Sequence, residues 1–403
     1  TMLAVMFIDL DGFKDVNDNY GHPVGDAVLW TLGKRLHKTL RGGDHVGRLG
    51  GDEFLVIAEP VAGADEARML ANRVAKAISE PMEIDSVTVS VTVSIGVAIA
   101  DGVNGLTATE LLHDADLAVY RAKELGRSRI ELCDEALHAE LMRRSLIEDA
   151  LREALPADEL TMYFQPILDA DTAELSSLEA LIRWDRPGIG MTPPDVFIPI
   201  AERTELISQV DNWVIRHVLR QLQAWSSTPA LRNVPISINI SGRHLAADSF
   251  VSDILDPILH AGIDPSRLIL EITESALLDD LESAAEKLQM LRDHSIKIAI
   301  DDFGTGYTSL GHLRSLPIDI LKIDRTFIND ESASSLVKLI IDTGHLIGAS
   351  ITSEGIETPE QAAHFTELGS DALQGYLFAR PMPADAVERE LQITSPDHLP
   401  FLS

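Results

Sequence analysis

Apolar and polar positions follow two rhythms along this chain. From residue 1 to about 133, strands and helices mix. "MLAVMFIDLD" at 2–11 is an apolar run that predicts a strand. "GDAVLWTLGKRLHKTL" at 25–40 places Val28, Leu29, Leu32 and Leu36 on one helical face. Two short strands, Val46–Leu49 and Phe54–Ile57, flank the charged turn "GGDE". "ADEARMLANRVAKAIS" at 64–79 predicts a helix, "VTVSVTVSIGVAIA" at 87–100 an alternating strand, and "LLHDADLAVYRAKELG" at 111–126 a helix stopped by Gly126. Hairpin-paired strands with helices between them predict an α+β domain over 1–133. Residues 134–156 read as a connecting helix with Leu137, Leu141, Leu151 and Leu155 as its stripe, ended by Pro156.

From 157 to 403 short apolar strands alternate with helices at the spacing of βα units. Eight strands can be read: "LTMYFQP", "LSSLEALIRW", "VPISINIS", "RLILEIT", "KIAIDD", "ILKID", "ASITSEG" and "DALQGY". Eight such units predict a (β/α)8 barrel.

Composition narrows the picture. At 403 residues the chain is too long for one typical core, so two domains are expected. A net charge of −31 excludes a nucleic-acid-coating role, and an anionic ligand needs local cations or placed Arg and Lys. The single cysteine, Cys133, rules out an internal disulfide framework and fits a reducing cytoplasm. No apolar run reaches the ~20 residues of a membrane helix. Thr1 leads straight into a strand, so a fragment of a longer protein is expected, whose earlier part carries a sensor or membrane domain.

In a barrel, chemistry sits at the C-terminal ends of the strands. Those ends read Gln165, Glu179, Asn239, Glu271, Asp301 with Asp302, Lys322 with Asp324, Glu354 and Gln374. Singly, each is a salt-bridged loop residue. Together, converging carboxylates repel without cations, and oxygen-only donors suit Mg2+ or Mn2+ rather than zinc. Two such ions activate water and clamp a phosphate, so phosphodiester hydrolysis is the expected reaction. Lys322 and Arg183 would offset phosphate charge, and Glu354 would take a proton from the water.

The stretch "SLEALIRW", with "NIS" at 239, "EITES" at 271, "DDFGTGYTSL" at 301, "LKID" at 321, "EGIE" at 354 and "LQGY" at 373, resembles the EAL phosphodiesterases that linearise cyclic di-GMP. The resemblance implies a first metal on Glu179, Asn239, Glu271 and Asp301, and a second completed by Asp302 and Glu354. It makes Glu354 the general base, with Lys322 near the attacking water. Gln165, Leu181, Arg183, Asp324 and Gln374 would contact the ligand, and Glu274 would brace the loop "DFGTGYTSL". The stretch after Asp324 is shorter than the family usually has.

"GGDEF" at 50–54, with "FIDLDGFKDVNDNYGHPVGD" at 7–26 and "DADLAVYRAKELGRSRI" at 114–130, resembles the GGDEF diguanylate cyclases, which join two GTP into cyclic di-GMP. It implies a central, mainly antiparallel sheet with helices. Asp9, Leu10 and Asp52 would hold Mg2+ on the triphosphate, with Glu53 ligating or assisting the attacking hydroxyl. Asn17 and Asp26 would read guanine, and Lys14, Lys123 and Arg127 would hold phosphates. Arg41 and Asp44 would form an inhibitory product site. The segment this family carries before its first strand is not in this sequence. Homodimerisation is expected for both domain types. Three readings stand: a bifunctional enzyme, a phosphodiesterase with a nucleotide-binding regulatory domain, and a non-catalytic receptor, which the intact ligand and base positions disfavour.

Overall fold

A computed structural model of the chain describes residues 2–84, 87–100, 107–157, 159–277, 280–304, 316–328 and 334–392. It divides into two compact units, Thr1–Leu146 and Ile147–Ser403.

The first unit is built on strands β1 (Met2–Asp11), β2 (His45–Gly50), β3 (Glu53–Val61), β6 (Thr92–Ala100) and β7 (Ile130–Leu132) in the order β2-β3-β1-β6-β7. β1 pairs antiparallel with β3 and β6, and only β6–β7 is parallel. The central position of β1 explains its unbroken apolar run. Ala4, Met6, Ile8 and Leu10 enter the larger core, while Val5 packs on the other face with Leu111 and Ala115. The helices are α1 (Phe13–Tyr20), α2 (His22–Thr39), α3 (Ala64–Ser79), α4 (Ala108–Glu124) and α5 (Glu135–Ala154). A Cβ on Gly96 of β6 would overlap the carbonyl of Ala115, so α4 lies directly on the sheet. One expectation is corrected. The alternating stretch 87–100 is two strands, because β5 (Val87–Val89) pairs only with β4 (Met82–Ile84) in a separate hairpin before β6 begins. The apolar phase continues through buried Val91, so the pattern carries no mark of the break.

The second unit is a closed barrel of eight strands. These are β8 (Leu160–Asp169), β9 (Leu175–Arg186), β11 (Ile236–Ile240), β12 (Leu268–Thr273), β13 (Lys297–Phe303), β14 (Ile320–Ile323), β15 (Ser350–Ser353) and β16 (Ala372–Gln374). The short strands β10 (Gly190–Thr192) and β17 (Met382–Pro383) pair alongside β9 and β8. From β9 through β16 the barrel strands are parallel, but β8 runs antiparallel to both β9 and β16. Parallel strands buried on both faces read as solid apolar runs, as "LILEIT" does. Helices cover the outside; Leu206–Trp225 buries Val210, Trp213, Val214, Val218, Leu219 and Leu222. Among the described residues, no helix is long and apolar enough to cross a membrane.

Candidate active site

The barrel mouth gathers its charges around one ammonium. Lys322, on β14, is 1% exposed. Its Nζ lies 2.5 Å from Glu354 Oε1, 2.8 Å from Glu271 Oε2, 3.5 Å from Asp301 Oδ1 and 3.9 Å from Glu179 Oε2. Strand register sets this meeting: Asn239 pairs with Glu271 and Thr273 with Asp301 on adjacent strands. Asn239 Nδ2 donates to Glu179 Oε1 at 2.9 Å, and Gln374 Nε2 donates to Glu179 Oε2 at 2.6 Å and to Gln165 Oε1 at 3.1 Å. Gln374 Oε1 is buried and, among the described residues, has no hydrogen-bond partner, an acceptor left for something else. Two residues past Asn239, Ser241 Oγ donates to buried Asp211 at 2.6 Å and fixes the β11 corner, a support that sequence reasoning missed.

Gln165 does not stand at the C-terminal end of its strand, as expected; it lies in the middle of β8. Because β8 is reversed, Gln165 sits opposite Glu179 and reaches the same rim from the other direction. Asp302 is held at φ +54°, in the left-handed region that costs a non-glycine residue energy. Pairing of β13 with β14 slips between Ile300 and Phe303, and this irregularity turns both Asp301 and Asp302 to the mouth. Asp324 Oδ1 accepts from Thr326 N at 2.9 Å, capping the short turn after β14. Glu274 Oε2 accepts from Gly304 N at 3.1 Å; the rest of the loop that Glu274 was expected to brace, from 305 to 310, lies outside the described residues. So does 329–333, within the stretch expected to be short.

Four carboxylates face one buried ammonium at the mouth. Burial pushes the carboxyls of Glu271 well up and of Glu354 up to about 8, with Lys322 pulling the other way. Asp302 rises to about 6, through burial and then through Asp301 and Asp324. Burial disfavours a charged Lys322, but the surrounding carboxylates outweigh it and hold its pKa well above the ordinary value. The donor set is all oxygen and short of positive charge, which fits divalent Mg2+ or Mn2+. Between about pH 4.5 and pH 8 the folded, metal-free site keeps protons that the unfolded chain has released, so stability falls as pH rises. The melting temperature of metal-free protein is expected to drop by several degrees from about pH 5.5 to about pH 8.5, and added Mg2+ to recover it. A flat or rising profile would remove the claim.

Two cavities open on this cluster. One of about 380 Å3 is lined by Gln165, Glu179, Leu181, Glu354 and Gln374, together with Arg325 and Tyr376. The other, about 440 Å3, takes in Leu181, Asn239, Asp301, Asp302, Asp195 and Glu202. Leu181 lines both. Arg325, Tyr376, Asp195 and Glu202 were not singled out in the sequence; Tyr376 closes "LQGY" and Arg325 follows "LKID", so motif adjacency was the available signal. Arg183 is half-buried, which lowers its pKa; its guanidinium lies 5.6 Å from the Tyr163 ring and donates to Ile182 O.

In the first unit, Asp9, two residues before the end of β1, is buried and pairs in register with Glu53 of β3. Lys123 Nζ lies 2.6 Å from Asp9 Oδ2. Burial raises the Asp9 carboxyl, Lys123 opposes the rise, and Asp52 and Asp11 add to it. Leu10 N donates to Asp52 O at 3.4 Å, which holds the GGDE turn against the end of β1. Gly25 of α2 has no room for a Cβ beside Asn17, so α1 and α2 meet there. Asp26 lines a cavity of about 890 Å3 with Trp30, Lys34 and Arg48. Lys14 and Arg127 are exposed. Arg41 and Asp44 do not form an Arg–Asp ion pair: Asp44 accepts from the main-chain N of Arg41, and the guanidinium pairs with Glu66 at 2.8 Å. Both line a cavity of about 450 Å3.

Known proteins resemble this chain in sequence and in fold. A family model described as "EAL domain" matches residues 148–381, and one described as "Diguanylate cyclase, GGDEF domain" matches 1–129. The "Bifunctional diguanylate cyclase/cyclic di-GMP phosphodiesterase MucR" of Pseudomonas aeruginosa is 39% identical over 386 residues, 95% of this chain and 56% of MucR. The "Cyclic di-GMP phosphodiesterase NbdA" of the same organism is 37% identical over 404 residues, 99% of this chain and 51% of NbdA. The chain thus spans about half the length of these relatives. The solved "PaMucR Phosphodiesterase, c-di-GMP complex" superposes with a TM-score of 0.58 at 37% identity, covering 60% of this chain and 99% of that one.

Proposed function

Because this chain belongs to the EAL family, with a GGDEF domain ahead of its EAL domain, we propose that it turns over cyclic di-GMP. In this reading the barrel hydrolyses cyclic di-GMP to linear pGpG, and the first unit joins two GTP into cyclic di-GMP. The observation that carries the first half is the ring of Glu179, Glu271, Asp301 and Glu354 around Lys322.

Glu179, Asn239, Glu271 and Asp301 would hold one divalent ion, and Asp302 and Glu354 a second. When bound, such a pair neutralises charge on the phosphodiester and makes a coordinated water acidic. The protein's own groups supply the rest. Glu354, held 2.5 Å from Lys322 Nζ, takes the proton from the attacking water. Lys322 keeps its positive charge among carboxylates and steadies the same water. Gln374, with its free buried carbonyl, and Gln165 beside it orient the ligand over Glu179. Leu181, which lines both cavities, would contact the dinucleotide. Arg183 supplies charge to a phosphate.

In the first unit, Asp9, Leu10 and Asp52 would hold Mg2+ on the triphosphate of GTP, with Glu53 beside the 3′-hydroxyl. Asn17 and Asp26 would take guanine, and Lys14, Lys123 and Arg127 the phosphates. Arg41 and Asp44, lining their own cavity, would take product. A second reading, in which the GGDEF domain only binds nucleotide and regulates the barrel, is favoured by the naming of NbdA as a phosphodiesterase alone at nearly the same identity as MucR.

Incubation with Mg2+ and cyclic di-GMP is expected to yield pGpG, and Glu179→Ala to remove that turnover while the fold persists. Wild-type rate in Glu179→Ala would show the site misplaced. GTP given to a Glu354→Gln chain, which cannot consume product, separates the two readings: accumulation of cyclic di-GMP supports the cyclase, and none supports the regulatory domain.

A further inference from the structure

Away from both of these sites, the first unit brings together three side chains of different chemistry. Asp114 lies on α4, Cys133 directly follows β7, and His138 lies near the start of α5. His138 Nδ1 stands 3.1 Å from Asp114 Oδ1, and the three donor atoms all lie within 4.8 Å of one another. The geometry points to a metal site that takes a borderline transition ion, zinc above all.

Each donor is carried by backbone fixed for other reasons. Cys133 N donates to Val97 O at 2.7 Å, which continues the β6–β7 ladder and fixes where the thiol starts. α4 is seated on β6 at Gly96, where only a hydrogen fits beneath Ala115, and that contact sets the height of Asp114. Asp134 starts α5 by accepting from Leu137 N at 2.8 Å through its side chain and from His138 N at 2.9 Å through its carbonyl. His138 is therefore turned back toward α4 by a capped first turn. All three donors are half-buried, shielded but not sealed, so an ion can enter and a water can complete its shell.

The donor set selects the ion. Sulfur, imidazole nitrogen and carboxylate oxygen are the three ligand types of zinc sites, and three protein donors plus water is an open tetrahedral arrangement. A tetrahedral zinc with bonds of about 2.0–2.3 Å separates its donors by roughly 3–4 Å, so small side-chain movements close the site. Mg2+ and Ca2+ prefer all-oxygen shells and would leave the thiol unused. The barrel mouth is the opposite case, with oxygen donors alone. An ion at the three-donor site would tie the first turn of α5 to α4 and to the edge of the sheet.

The competing account is a plain His138–Asp114 ion pair beside a packed thiol. Cobalt distinguishes them. The full chain, reduced and saturated with Mg2+ to fill oxygen sites, is titrated with Co2+ near pH 7.5. One equivalent is expected to bind with a thiolate-to-cobalt absorption band in the near ultraviolet, and Zn2+ to displace it. Cys133 is the only cysteine, so the band has one source. It should vanish in Cys133→Ser, and the affinity should fall at least about tenfold in His138→Ala and in Asp114→Ala, with unchanged far-ultraviolet circular dichroism in each. Absence of the band from the folded wild-type chain overturns the site. So does a band whose affinity is the same in His138→Ala and Asp114→Ala, because a thiol acting alone needs neither partner.

Discussion

Replacing Glu354 with glutamine is expected to slow hydrolysis of cyclic di-GMP by about 10²–10⁴-fold, the range removed with a positioned general base. Binding of the dinucleotide, followed by calorimetry, should change only a few-fold. Glutamine keeps the size of the side chain and an oxygen that accepts from Lys322, which lies 2.5 Å from Glu354 Oε1 in the native site. What it loses is the ability to take a proton and the negative charge that Glu354 would bring to the second ion. Buried beside Lys322 at the barrel mouth, the native carboxylate is placed to receive the proton of the attacking water. The variant should also lose the part of the pH–rate profile that this carboxyl controls. Near-native turnover in Glu354→Gln would move the base to another residue, with Asp302, raised to about 6, next to be tested.

The second large effect is on stability. Lys322→Met is expected to cost about 3–5 kcal/mol, the range for removing one partner of a buried charge cluster. At about 2–4 °C per kcal/mol for a domain of this size, the barrel's melting temperature should drop by on the order of 10 °C. Methionine fills similar space, so the loss is electrostatic. It leaves Glu179, Glu271, Asp301 and Glu354 facing each other without the ammonium that now touches all four. Mg2+ should therefore raise the melting temperature more in the variant than in the native chain. An unchanged melting temperature would mean that protons alone satisfy the cluster, and Lys322 would then lose its structural role.

Much of this arrangement was legible in the residues, and the parts that were not share a cause. The eight barrel strands announce themselves as short apolar runs because both faces of each are covered. The α+β character of the first unit followed from hairpins between helices. Period-2 patterning, however, has no direction, so the reversal of β8 and the mid-strand position of Gln165 were invisible. Unbroken alternation through Ser90 and Val91 likewise hid the step from β5 to β6. The positive φ of Asp302 left no mark either, since nothing in "AIDDFG" distinguishes one aspartate from its neighbour. Asp114, Cys133 and His138 follow no ligand spacing along the chain. Only the seating of α4 on Gly96 and the capped start of α5 bring them together.

The reversed strand has a consequence for assembly. β8 and β9 are joined by the turn at 170–174, organised by Asp169, whose carboxylate accepts from Thr172 N. Bringing the ends of so short a loop together costs little chain entropy, whereas each parallel neighbour must first thread a crossover. Gln165 and Glu179 are thus paired across a hairpin whose register needs only local connectivity. The remaining rim groups reach that pair only across long-range strand contacts.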